Sequence, residues 1–435
     1  MPDERKNTPA GEAMKPVQYT VAPGRYTQIT MRTYPHAVCK LRREDEAEPR
    51  HFAYIYADEE GLIRMQVRPS NEHEQVAHMV IECEADGKVT HFPLHLRPHS
   101  SPTQQMPAPP PHNPKPVRRE AKIRPAITVE EALRLPDEEL LQRGYPLPPD
   151  PEGTPVAFNS WRRVVSAPFT MIEPRLVPRP DLSHGTRVVR ATGFGSRPTA
   201  GTESSGNWSG FELRGAAGTY DWVTAIWHVP TVTGESNAHT YSAYWIGLDG
   251  DGVTDLVQAG TEQENIDFDF LFFHLSFSFY YAWTEFLPQQ PTEQQISNFP
   301  VNPGDEIFCE VYIANAGGSP SLSGFFGQFV IQNLTTSEYT WIYTPVGATS
   351  LSGSEAVWIM ERPSLGSSLT DLADYGSTVM SSAYARRTNS ARHQGYVPYQ
   401  GANNLQITMS NGGDTLSTVT PIDAYSMRFN WQAFH

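Results

Sequence analysis

EAVWIMERPS, residues 355–364, decides the fold. Read as a β-strand, it sends Val357 and Ile359 to one side and Ala356, Trp358 and Met360 to the other, because strand side chains alternate. Glu361 then falls on the Val357/Ile359 side, just before Arg362-Pro363 ends the run. A carboxylate in line with buried residues has two readings: a solvated edge, or a polar groove cut into a sheet face. The surrounding sequence extends the pattern. WVTAIWHVP (222–230), YSAYWIGLDG (241–250), FSFYYAWTEFLP (277–288), DEIFCEVYIA (305–314), GFFGQFVIQNL (324–334), EYTWIYTP (338–345) and SMRFNWQAF (426–434) are strand-like runs separated by Gly, Pro, Asn and Ser. Many short strands with such breaks predict an all-β, two-sheet antiparallel sandwich or jelly roll over 205–435.

Upstream, residues 14–98 also alternate with period two (YTQITMR, HFAYIYA, LIRMQVRP, HMVIECEA, KVTHFPLHLRP), with turn chemistry in ADEEG (57–61) and ADGK (85–88). They predict a small antiparallel β-sandwich. Its histidines (His36, His51, His73, His78, His91, His95) are scattered, which favours surface roles over a metal site. Residues 99–125 form a proline-rich linker. Residues 126–204 follow as a basic, partly helical segment. Thr128 with Glu131 has capping-box spacing, and Thr154-Pro155 opens a second helix, with GYPLPPDPEG between as a breaker.

Charge divides the chain of 435 residues, net −15. From Gly201 onward there are 23 Asp and Glu, six Arg and no Lys, whereas residues 151–200 hold seven Arg against three acids. Such an acidic domain repels phosphate, so nucleic acid is excluded as its partner. The surface reads either as simply acidic and soluble or as suited to low pH, and the basic segment either merely adjoins it or docks on it as a mask. The longest apolar run, LFFHLSFSFYYAW (271–283), is too short and too polar for a membrane span. Without an apolar N-terminal region, the cytoplasm is the default location, with export by a non-classical route as the alternative. The three cysteines form no CxxC, and no metal or cofactor site is expected. Cys39 and Cys83 could pair if the N-terminal domain joins them, against which stands the missing secretion signal. Cys309, in an apolar run, reads as a buried thiol.

Familiar catalytic patterns are absent. There is no GxSxG elbow, no HExxH and no phosphate-cradling Gly loop. What remains is polar residues inside strands. Leu256 and Gln258 share a face in LVQAG against Val257 and Ala259. Tyr281, Trp283 and Glu285 share one in YYAWTEF. Trp245 stands ahead of the Asp249 turn in WIGLDGDG. Together they suggest one Trp-lined polar groove, binding substrate through Trp245, Asp249, Trp283 and Glu285.

NWSGFEL (207–213), WHVP (227–230), YWIGLDGDG (244–252), LVQAG (256–260), YYAWTEF (280–286), VNPGD (301–305), AVWIMERP (356–363) and LADYGS (372–377) occur in the order seen in the glutamic peptidases, or eqolisins, which this chain resembles. LPDEELLQRGYPLPPDP and AFNSWRRVVS also resemble the segment ahead of the domain in bacterial members. The resemblance implies a lectin-like sandwich with its site on a concave face. It also implies an acid endopeptidase with a Gln–Glu dyad, here Gln258 and Glu361. The sequence departs from the pattern at Val357 and Tyr281, where some members carry acids. The physical account agrees. Glu361 would act as general base on water and then as acid to the leaving amine, and the Gln258 amide would donate to the oxyanion. An amide partner avoids the conflict of two carboxylates at one site. A polypeptide substrate, no cofactor and a monomer are expected. The alternative is an inactive lectin-like sandwich that binds glycan or protein.

Overall fold

The computed structural model describes residues 17–21, 27–35, 37–45, 55–57, 61–69, 76–85, 87–98, 122–188, 201–315, 320–322, 326–345, 351–387, 395–396 and 404–435. The linker expected at 99–125 lies outside them up to residue 121, as do His36, His51 and His73. The chain divides into two units: residues 1–115 with 267–277, and residues 116–266 with 278–435.

In the first unit the alternating runs form a five-stranded sheet. Ala77–Ala85 and Lys88–Pro98 make its central hairpin, closed at Ala85 and Lys88 as the ADGK turn predicts. The sheet is not wholly antiparallel, since Val17–Val21 runs parallel to residues 94–98. A second ladder pairs Thr27–Arg32 with Leu62–Pro69, and Met65–Pro69 also pairs with Phe273–Phe277. Cys39 and Cys83 face each other across antiparallel strands, Cα atoms 4.0 Å apart, and are joined in a disulfide. The sequence argument against pairing is therefore corrected: register put the sulfurs together, which no spacing rule could reveal.

The second unit is the sandwich. One sheet runs through His239–Asp249, Glu355–Glu361, Trp208–Arg214 and Asn404–Asn411, each antiparallel to the next, with residues 256–266 on the far side of His239–Asp249. The other runs through Glu338–Pro345, Phe326–Asn333, Glu306–Ala314, Tyr220–His228 and Ser377–Arg387. The alternation of 355–361 is realised as read. Ala356, Trp358 and Met360 enter the core shared with Val223, Trp227, Val311 and Ile331. Val357 and Ile359 pack on the opposite face with Trp208, Trp245 and Trp283. Trp358, fully buried, also satisfies its one polar atom, Nε1 donating to Thr224 O at 3.1 Å. Cys309 is a free, buried thiol.

Residues 122–188 wrap this sandwich. Helices Val129–Arg134 and Pro155–Val165 match the sequence reading, and the Glu131 amide donates to Thr128 Oγ1 at 3.1 Å. Asp137–Gln142 is a third helix, opening directly after Pro136 with three acids in its first turn, a favourable pairing with the helix dipole. Leu141, Leu147 and Ala157 pack on Trp222, Tyr312 and Tyr384 of the second sheet. Beyond these helices the chain becomes extended. Leu176–Pro178 pairs with Gln294–Ile296, and Leu182–Ser183 pairs with Ser364–Leu365.

Candidate active site

The outer face of the first sheet carries the groove. Glu361 and Trp245 reach it from strands paired directly, Trp245 opposite Ile359 and Ala243 opposite Glu361. Gln258 comes from the next strand, opposite Gly247. Gly260 lies across from Trp245, where a Cβ would stand 2.4 Å from the Trp245 Cβ, so the bare position makes room for the indole.

Glu361 is fully buried and held at both oxygens. Asn207 Nδ2 donates to Oε1 at 3.1 Å, and Trp245 Nε1 donates to Oε2 at 2.9 Å. Burial raises its pKa above the ordinary glutamate value, against the pull of His184, Asn207 and Trp245. Gln258 Nε2 donates to Glu285 Oε2 at 2.9 Å and to the backbone carbonyl of His184 at 2.6 Å. Glu285 in turn accepts from the His184 backbone N–H at 2.9 Å and from Ser183 Oγ at 3.0 Å. Burial pushes the Glu285 carboxyl up to about 8, so it is protonated at neutral pH.

The structure thus brings Gln258, Glu285, Trp283, Trp245 and Glu361 around one residue of the wrapping segment, His184. Asp249 goes elsewhere. Its carboxylate accepts the backbone N–H groups of Gly353, Ser354 and Glu355 at 2.7, 2.8 and 3.3 Å and anchors the turn that starts the Glu361 strand. Burial raises it to about 6.

His184, Asn207, Glu262 and Glu293 were not singled out as site residues in the sequence. The His184 ring stacks on Trp283, centroids 3.7 Å apart. Its Nε2 lies 2.8 Å from Glu293 and 3.6 Å from Glu262, and its Nδ1 lies 3.6 Å from Glu361. Burial disfavours the imidazolium, but Glu293, Glu361 and Glu262 overcome it and hold the pKa well above the ordinary value. On either side, Arg179 pairs with Glu264 at 3.0 Å and Arg187 with Asp251 at 2.7 Å. Among the described residues of the basic stretch 151–200, Arg163, Arg179 and Arg187 make specific pairs with acids of the sandwich.

Two buried carboxyls give a test of stability. Glu285 and Glu310 each have a folded pKa of about 8 against an ordinary 4.5, burial being the main cause at both. Glu310 accepts from Trp222 Nε1 at 2.6 Å and from the Leu147 backbone at 3.3 Å. A raised folded pKa contributes stability that is full below 4.5 and is lost as the pH rises through about 8. Urea midpoints are expected to fall between pH 5 and pH 9, and Glu310→Gln should flatten part of that fall. A midpoint that is flat or rises over this range would show that these carboxyls are not buried as protonated acids.

An amide and a carboxylate facing an extended polypeptide, on the outer face of a two-sheet sandwich, define a class: β-sandwich proteins with a polypeptide groove. The model of the Peptidase A4 family matches residues 206–430, just over half of the chain, and the chain belongs to that family. It is 28% identical to aspergillopepsin-2 of Aspergillus niger over 207 residues, a match spanning 43% of this chain and 66% of that relative. Among solved structures it is similar to scytalido-glutamic peptidase crystallised with a transition state analog inhibitor. There the identity is 18%, the TM-score 0.41, and the coverage 52% of this chain and 98% of that one. It is likewise similar to aspergilloglutamic peptidase from Aspergillus niger, with 22% identity, a TM-score of 0.35 and coverage of 44% and 99%.

Proposed function

We propose that the chain is an acid endopeptidase in which Glu361 and Gln258 carry the reaction and the wrapping segment masks the groove until the pH falls. The observation that supports it most is the Gln258 amide, 2.6 Å from a peptide carbonyl in the same groove that holds Glu361. That is the placement an oxyanion donor needs. With the segment gone, solvent returns to Glu361 and burial no longer raises its pKa as it did; the pull of His184 goes too, but Asn207 and Trp245 stay to favour the ionised form that serves as the base for water. Protonated Glu285 accepts from the Gln258 Nε2 without adding a second charge. The glycan-binding alternative is less well supported, because the groove holds extended polypeptide and the family is one of peptidases. The Cys39–Cys83 disulfide supports a working place outside a reducing cytoplasm.

The test is digestion of denatured casein by the full chain at pH near 3.5 and at pH 7, with and without pepstatin. Cleavage confined to acid and indifferent to pepstatin is expected. Gln258→Ala should lower kcat by about 10²-fold or more with the fold intact. Unchanged kcat in that variant would remove Gln258 from the mechanism, and no digestion by the folded parent at any pH would end the peptidase reading.

A further inference from the structure

The seat of His184 is built in more detail than a mask requires. Its main chain is read at both ends, the N–H by Glu285 and the C=O by Gln258. Its ring lies flat on Trp283, 10° from parallel, and its Nε2 points at a pair of carboxylates from two different strands. Glu293, Glu262, Glu285 and Glu361 are all fully buried. Among the described residues Glu262 has no hydrogen-bond partner at either oxygen, and the imidazole is its ion-pair partner, 3.6 Å away. Arg179, the other cation nearby, bonds Glu264 and Tyr281 and acts on Glu262 through its charge, less than the imidazole does.

Resting on the peptidase reading above, we infer that this seat is a specificity pocket for the substrate residue whose carbonyl Gln258 holds, and that it selects a flat cationic side chain, an imidazolium above all. Burial raises the Glu262 pKa well above the ordinary value, and the imidazole pulls it back, so an apolar side chain entering there would bury this acid pair without the cation that stabilises it. A protonated imidazole bonds Glu293 at 2.8 Å and stands 3.6 Å from Glu262, and its ring gains the stacking and cation–π attraction of Trp283. A site built around a buried polar contact rejects ligands that lack it much more strongly than an apolar pocket rejects a wrong size. In this view the wrapping segment fills the groove as a substrate does, with His184 in the pocket. The same imidazole lies 3.6 Å from Glu361, over the base that would activate water. His184-Gly185 is thereby held without being cut.

The experiment uses the full chain after acid exposure and a set of peptides identical except for one residue, His, Lys, Gln or Leu, placed before a glycine. Cut positions are read by mass spectrometry. The His peptide should be cut after the varied residue, with kcat/KM about tenfold or more above the Leu peptide. Glu262→Gln alone should narrow that ratio, and Glu262→Gln with Glu293→Gln should bring it to within about threefold, since amides no longer demand a cation. A Leu peptide cut as well as the His peptide overturns the proposal, as does cleavage elsewhere or a ratio unmoved by a folded Glu262→Gln variant. All of these leave the peptidase reading intact. Failure of the folded chain to cut any peptide removes that reading and this inference with it.

Discussion

Glu361→Gln is expected to lower kcat on casein at acid pH by about 10³-fold or more, with KM little changed. The substitution keeps shape and size. A glutamine carbonyl can still accept from Trp245 Nε1, which lies 2.9 Å from the present carboxylate, so the indole stays in place and the strand stays in register. What disappears is the base. Water in the groove would have no carboxylate to take its proton, and the leaving amine no acid to supply one. A uniform loss in kcat with KM kept is the signature of a group that acts only in the transition state. The wrapping segment should dock less tightly than before, because the His184 imidazolium loses one of the carboxylates that favour it. Equal turnover by parent and variant would mean that another carboxyl of the groove, Glu285 or Glu262, is the base. The rate would then have to follow a group whose pKa burial raises.

The groove residues on the sandwich were legible because strand period is a local property. Two-residue alternation sorted Trp358 from Ile359 and Val257 from Gln258, and both sorts are found in the two faces of the first sheet. Asp249 shows the limit of that signal. A turn acid after an apolar strand looks the same whether it faces a groove or ties down a neighbouring turn, and here it takes the amides of 353–355. His184 had no signal at all. It sits 74 residues ahead of Gln258 in DLSHGTR, where nothing repeats and nothing is apolar enough to assign a face. The charge bias of 151–200 was visible, but net charge carries no register and did not tell Arg179 from Arg175. The helix at 137–142 was hidden for another reason: Pro136 ahead of it and the proline-rich breaker behind it read as one loop, although proline suits a helix start.

Arg179→Gln should unmask the groove. Arg179 joins the segment to Glu264 at 3.0 Å and to the Tyr281 hydroxyl at 3.0 Å. Burial acts to raise the Glu264 pKa, but Arg179, His239 and Tyr281 overcome it and hold the carboxyl well below the ordinary range. A depressed folded pKa contributes stability that is present above the ordinary value of 4.5 and is lost as the pH falls through the folded one. This pair therefore loosens in acid. His184 and Glu285 work in the opposite sense, their raised pKa values giving stability that is full in acid and lost as the pH rises. Acid release must then come from the arginine–carboxylate pairs and act against the histidine. In the variant Glu264 keeps His239 at 3.0 Å and the Tyr281 hydroxyl at 2.7 Å, so the sandwich is not left with a lone buried charge. A charge-assisted bond of about 1.5–3 kcal/mol corresponds to roughly 10- to 100-fold more open chain at pH 5 to 6. Hydrogen exchange over residues 176–188 reads the opening, and casein digestion at the same pH reads its consequence. Both should begin at higher pH in Arg179→Gln than in the parent. Opening at unchanged pH would show that Arg179 is a surface contact of no weight in the mask. Opening without digestion would separate the mask from the chemistry and place the acid requirement in the catalytic groups themselves.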